Sequence, residues 1–207
     1  LKSITRDIGV IRLQLAVIYD DQDVMEEMIN KLDVIPAYDN LVGRQHVRLT
    51  YTGIAALLSK NRNKPTNQKW AAKAMGFFEK LTKLDSPNAK PVHACLQALD
   101  KPSIEAFDAA IEACRDADLA NLGALMNERC GMWLMKRHVT GEKENERSGC
   151  SLWLPHADNR NDSSWVDPNM YTDYLKGALI LYHSWGAKGK VSQLEERYSF
   201  LRGAIKR

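Results

Sequence analysis

One stretch near the end constrains the fold of this chain most. An apolar helical run, Tyr174 to Tyr182 (YLKGALILY), breaks at Trp185-Gly186-Ala187 and restarts through Val191, Leu194, Tyr198 and Leu201. Leu175, Ala178, Leu179 and Tyr182 recur at the spacing of one helix face. Gly186 can take the left-handed conformation that ends a helix without a Cβ penalty. The unit reads as a helical hairpin, in which small Ala178 lets a neighbouring backbone approach and the Tyr182 ring fills the space beside it.

The same pattern extends through most of the 207 residues. Apolar positions mark two helices over Ile8 to Tyr19 (Ile8, Ile11, Leu15, Ile18) and Asp23 to Leu32, parted by Asp20-Asp21. A third begins near Asp39 or Asn40 as N-cap and passes Val47, Tyr51, Ile54, Leu57 and Leu58. Thr66 or Asn67 is the expected cap of a fourth, with Trp70, Ala74, Phe77, Phe78 and Leu81 on one face. A short fifth carries Val92, Cys95, Leu96 and Leu99. Lys101-Pro102-Ser103 opens a sixth with a small-residue face of Ala106, Ala110, Ala113 and Cys114. Asp118 is the expected cap of a seventh, through Leu122, Leu125, Met126, Cys130, Trp133 and Leu134. No long stretch alternates with the two-residue period of a half-buried strand, so the expected class is all-α.

From 138 to 168 the periodicity fails. Thr140 to Gly149 is charged and glycine-bounded, and Asp158 to Ser164 is rich in turn formers, which reads as an inserted loop before the last helix pair. Its Trp153, His156 and Trp165 are the candidate partner-binding residues, placed to modulate access to a neighbouring surface. The expected organisation is one α-helical repeat domain over 1–207: N-terminal helices 1–87, repeat helices 88–137, the loop 138–168, and the helix-WGA-helix unit 169–207.

Three segments in order carry a family resemblance: NAKPVHACLQAL from Asn88, AFDAAIEACRDADLANLGALMNERCGMWL from Ala106, and YLKGALILYHSWGAKGKVSQLEERY from Tyr174. Together they resemble the helical-repeat region, similar to tetratricopeptide (TPR) repeats, of large multidomain signalling proteins. In those proteins an AAA-type or STAND-type ATPase module precedes the region, and sensor histidine kinase, GAF or nucleotide cyclase domains follow. The resemblance implies antiparallel helix-pair repeats forming a TPR-like superhelix. It also implies packing and turn roles, none catalytic, for Asn127, Glu128, Trp185, Gly186, Ala187, Lys190 and Leu194.

Composition and motifs narrow the function classes. Hydrophobic residues make up 44%, charged residues 27%, and the net charge of +3 by itself names neither nucleic acid nor an anionic membrane as partner. Basic residues at Arg44, Arg48, Arg62 and Lys64, and at Lys188, Lys190, Arg197, Arg202, Lys206 and Arg207, are interrupted by acidic ones, so no nucleic-acid partner is expected. No run of about 18 apolar residues spans a bilayer. Cys95, Cys114, Cys130 and Cys150 form no CxxC pair, which favours reduced thiols and a cytoplasmic setting. The start at Leu1, without a basic segment and apolar core, reads as a piece of a longer polypeptide.

No HExxH, GxSxG, GxGxxG or P-loop string occurs, and the expectation is a non-enzyme without cofactor or metal. Glu128, set among Leu125, Met126, Cys130 and Met132, is the sharpest candidate for acid–base chemistry. Its plainer role is an ion pair with Arg129, Arg115 or a helix end. The expected function is a protein-interaction and regulatory scaffold segment of a cytosolic signalling protein. The alternative is a ligand-binding or enzymatic helical domain with its site under residues 140–168, joining His156, Asp158 and Glu128.

Overall fold

A computed structural model describes residues 2–34, 42–140 and 168–205. Among these the backbone forms nine α-helices, one short 3-10 turn and no strand, so the described chain is all-α. The expected Asp39 or Asn40 cap, Cys150, and the loop residues Trp153, His156, Asp158 and Trp165 lie outside the described residues. Two compact units, 1–100 and 101–207, each have their own core.

The first unit holds α1 (Lys2–Tyr19), α2 (Gln22–Val34), α3 (Val42–Leu58), α4 (Pro65–Lys83) and α5 (Ala89–Asp100). Between α1 and α2, Asp20 takes a left-handed φ of 60°, and the Asp21 carboxylate accepts from the Val24 N–H at 3.0 Å, capping α2. Helix α4 starts differently from the expected Thr66 or Asn67 cap. Lys64 occupies the cap position without a side-chain bond to the helix end, and Pro65 takes the first turn, where a missing N–H costs little. Asn67 is instead buried inside the helix, donating to the Asn61 carbonyl at 3.0 Å.

Helix α3 is the hub, packed against α1, α2, α4 and α5. It gets that close to α4 and α5 through Gly53, where an added Cβ would lie 2.5 Å from the Ala74 Cβ and 3.0 Å from Leu96 Cδ2. Arg48, expected on a basic surface patch, is buried instead. Its Nη2 donates to the Leu32 carbonyl in the last turn of α2 at 2.9 Å, and its guanidinium lies 5.3 Å from the Trp70 ring centroid. Both contacts suit a cation: a helix C-terminus carries negative partial charge, and so does an aromatic face. Two more members of that patch are paired, Arg62 with Asp100 at 3.3 Å and Lys64 with Glu26 at 2.6 Å.

Polar groups also tie α2 to the α3–α4 connection. The Glu26 carboxylate accepts from Lys64, from Ser59 at 3.2 Å and from Asn67 at 3.5 Å. The Lys64 hydrogen bond leads these in holding the Glu26 carboxyl below the usual carboxylate range, against the opposing effect of burial. His46 meets the Phe78 ring edge-on at 4.8 Å, and its buried Nε2 has no hydrogen-bond partner. Burial pushes the His46 pKa below 6.5, and its hydrogen bond to the backbone of Asn88 only partly opposes this.

Both depressed pKa values act in the same direction. The folded state prefers neutral His46 and ionised Glu26, so the stability they contribute is present at neutral pH. The His46 part fades as pH falls through 6.5 toward its lower folded value, and the Glu26 part follows below 4.5. Melting of the first unit, followed by circular dichroism between neutral pH and pH 4, is therefore expected to fall in two steps. The first step disappears in His46→Gln, and a melting temperature that rises on acidification would contradict the assignment.

The second unit holds α6 (Ile104–Asp116), α7 (Ala120–Thr140), α8 (Pro168–Ser184), α9 (Lys188–Arg197) and a 3-10 turn at Ser199–Leu201. Ser103 caps α6 by accepting from the Ala106 N–H at 3.2 Å. The buried face of α6 is Ile104, Phe107, Ala110 and Cys114; of the expected small-residue face, Ala110 and Cys114 are buried, while Ala106 and Ala113 are partly exposed. Asp118 does not cap α7. It is the left-handed residue, φ 54°, that closes α6, after which the Leu119 N–H returns to the Cys114 carbonyl at 2.8 Å.

Helix α7 runs through His138 to Thr140, beyond the expected break at 138. It approaches α8 through glycines: a Cβ at Gly131 would lie 2.7 Å from Leu175 Cγ and 3.0 Å from the Tyr171 carbonyl oxygen, and one at Gly177 would lie 2.8 Å from Asn127 Oδ1. At the end of α8, Gly186 has φ 81°, and the Ala187 N–H reaches back to the Tyr182 carbonyl at 2.9 Å.

Candidate functional site

Two features of the described chain call for a chemical account: a charge pair sealed in the second unit, and apolar side chains left open on the first.

The pair is built by three helices. Glu128 faces inward from α7, Tyr182 from α8 and Lys190 from the first turn of α9, and all three are at most 1% exposed. Lys190 Nζ donates to Glu128 Oε1 at 2.8 Å and to Gln193 Oε1 at 2.9 Å, and the Tyr182 hydroxyl donates to Glu128 Oε2 at 3.0 Å. The ammonium also sits 5.6 Å from the Tyr182 ring centroid. Each carboxylate oxygen therefore holds a donor, one charged and one neutral, and burial of both ions is offset by their attraction and these bonds. A carboxylate bonded on both oxygens and sealed from solvent has no room for a substrate. Its chemistry is to join α7, α8 and α9 in one register.

The partners of Glu128 are thus Tyr182 and Lys190, not Arg129 or Arg115. Lys190, counted in sequence among the interrupted basic residues and, through the family resemblance, among the packing residues, lies in the core. The available signal was its place four residues before Leu194, on the face that α9 buries. The Asn127 side chain donates to the Gly123 carbonyl at 2.8 Å, Leu194 is fully buried, and Trp185 is 43% exposed beside the Gly186 turn.

The open feature is on α1. Helical spacing put Ile8, Ile11, Leu15 and Ile18 on one buried face, but the covered residues are Leu13, Ala16, Val17 and Ile18. Ile8, Ile11, Leu15 and Tyr19 remain 53%, 56%, 50% and 38% exposed. Helix α1 is apolar on two sides and the first unit covers one of them. The uncovered side chains follow each other at steps of three, four and four, one seam of a helix. Beside them runs an open groove of about 290 Å³, lined by Arg12, Leu15, Ala16, Tyr19, Asp21 and Val24. Its lining is mostly apolar and includes one cation and one anion, which suits a second helix better than a small polar ligand.

Among the described residues no cluster of three or more His, Cys, Asp or Glu side chains is placed to hold a metal ion, and no helix is long and apolar enough to cross a membrane. Cys95, Cys114 and Cys130 are buried and in the reduced thiol form. Comparison with protein-family models, curated proteins and solved structures gave no match to this chain.

Proposed function

We propose that this chain is a non-catalytic protein-interaction and regulatory scaffold, a segment of a larger cytosolic signal-transduction protein built from TPR-like helix pairs. The observation that carries the reading is the uncovered apolar seam of α1. Large apolar residues half open to water along one helix face are the usual mark of a docking surface, because covering them releases hydration free energy without further ordering of the rigid helix beneath. The opposing reading, an enzymatic or ligand site joining His156, Asp158 and Glu128, draws nothing from Glu128, whose oxygens already hold Tyr182 and Lys190. Residues 140–168, with Trp153, His156 and Trp165, keep a regulatory part in the proposal as a segment able to modulate access to a docking face.

The test is selection of binding peptides from a displayed random library on the purified chain. Enriched peptides should be amphipathic helices, and their binding, read by fluorescence anisotropy, should be lost in Ile11→Asp while helical dichroism and melting stay unchanged. Peptides indifferent to that substitution, or none at all, would remove α1 as the working surface.

A further inference from the structure

We infer that the groove along α1 docks a second copy of this chain, with the two α1 helices antiparallel about a two-fold axis beside Leu15. This deepens the reading of α1 as an interaction face by naming the partner.

A two-fold interface must be complementary to itself, since the same patch meets its own copy in reverse. The groove satisfies that condition in both its apolar and its charged parts. Along a helix at about 1.5 Å per residue, Ile11 precedes Leu15 by as much as Tyr19 follows it, about 6 Å. Reversal about Leu15 therefore sets each Ile11 against the partner's Tyr19 and leaves Leu15 facing its own copy. Arg12 lies about 4.5 Å before Leu15 on the same scale, and Asp21, in the turn that follows the end of α1 at Tyr19, lies on the other side of Leu15. Reversal therefore carries the partner's Asp21 toward the Arg12 end of the seam, where a guanidinium can reach it, and the contact occurs twice. A parallel pairing would instead set Arg12 against its own copy and Asp21 likewise, so the charges select the antiparallel arrangement.

Neither charge is held elsewhere in a way that forbids this. Arg12 stands 3.7 Å from Glu27, both half-exposed, and an open pair of that length contributes little. Asp21 caps α2 through Oδ1, which leaves its second carboxylate oxygen to be offered. The four seam residues and the short groove beside them are far fewer than the roughly 20–30 residues a side of a standard stable interface. The expected dimer is therefore weak and concentration-dependent.

Sedimentation velocity of the whole chain from micromolar to millimolar concentration tests the inference. The wild type should pass from monomer to dimer, and Ile11→Asp should weaken association by about tenfold or more, because it sets a carboxylate in the apolar seam. Arg12→Glu should weaken it too. Adding Asp21→Asn, which retains a capping side chain, should then restore part of the loss by removing the facing anion. Arg12 is exposed, so this second arm stands even if Ile11→Asp perturbs folding. A wild type that stays monomeric throughout would overturn the inference, as would a dimer indifferent to both Ile11→Asp and Arg12→Glu. A monomeric chain that still binds selected helical peptides through α1 would overturn the self-pairing alone, leaving α1 as an interaction face for other proteins.

Discussion

Replacing Lys190 with methionine is expected to destabilise residues 101–207 by about 3–5 kcal/mol, the usual result of removing one partner from a buried ion pair. The methionine fills similar volume, so the loss is not one of packing. It arises because Glu128 keeps its charge in a site closed to solvent, with only the Tyr182 hydroxyl left to stabilise it. Glu128→Gln should also destabilise, by stranding the ammonium of Lys190. The double replacement Glu128→Leu with Lys190→Met should recover most of the loss, since an apolar pair of matching volume replaces two desolvated ions at little net cost. Urea unfolding followed by tryptophan fluorescence measures all three. Single replacements that each cost under about 1 kcal/mol would mean that water reaches the pair and that it behaves as a surface salt bridge.

The second large effect is a reversal of sign between two glycines on neighbouring helices. A Gly→Ala change inside a helix ordinarily stabilises by about 1 kcal/mol, because glycine loses more backbone freedom on folding. Gly76, in α4, meets nothing within 4 Å of an added Cβ, so Gly76→Ala should follow that rule. Gly53, in α3, would put its new methyl 2.5 Å from the Ala74 Cβ, a contact between two backbone-anchored atoms that no rotamer change relieves. Gly53→Ala is therefore expected to destabilise by about 1–3 kcal/mol as α3 and α4 are forced apart. Adding Ala74→Gly should relieve most of that cost, and the double-mutant cycle isolates the collision from propensity. A stabilised Gly53→Ala would show that the two helices separate freely.

Much of the helical layout was legible beforehand for a local reason. The spacing of Leu175, Ala178, Leu179 and Tyr182 and the stop at Gly186 depend on 3.6 residues per turn and on the freedom of one glycine, both properties of the chain itself. The same holds for Val92, Cys95, Leu96 and Leu99 in α5, all of which are buried. Caps were less legible. Asp118, Thr66 and Asn67 each have a side chain able to cap, and the turn geometry on either side decided against them: Asp118 was needed as a left-handed residue, and α4 had already begun at Pro65.

The candidate sites were the least legible. Glu128 and Lys190 lie 62 residues apart, and nothing near either one in sequence names the other. Helix α1 illustrates the same limit, because both of its faces are apolar and a hydrophobic period has no means of telling which one a neighbour will cover.

Sequence alone determined that the described chain is helical, where most of its helices fall and how the last two are joined, because those outcomes rest on contacts within a few residues. Tertiary structure alone decided that Lys190 pairs with Glu128, that Gly53 and Gly131 set how closely helices meet, and that Ile8, Ile11 and Leu15 face outward. Burial is a property of pairs of surfaces, and which surfaces meet depends on how separate helices pack together.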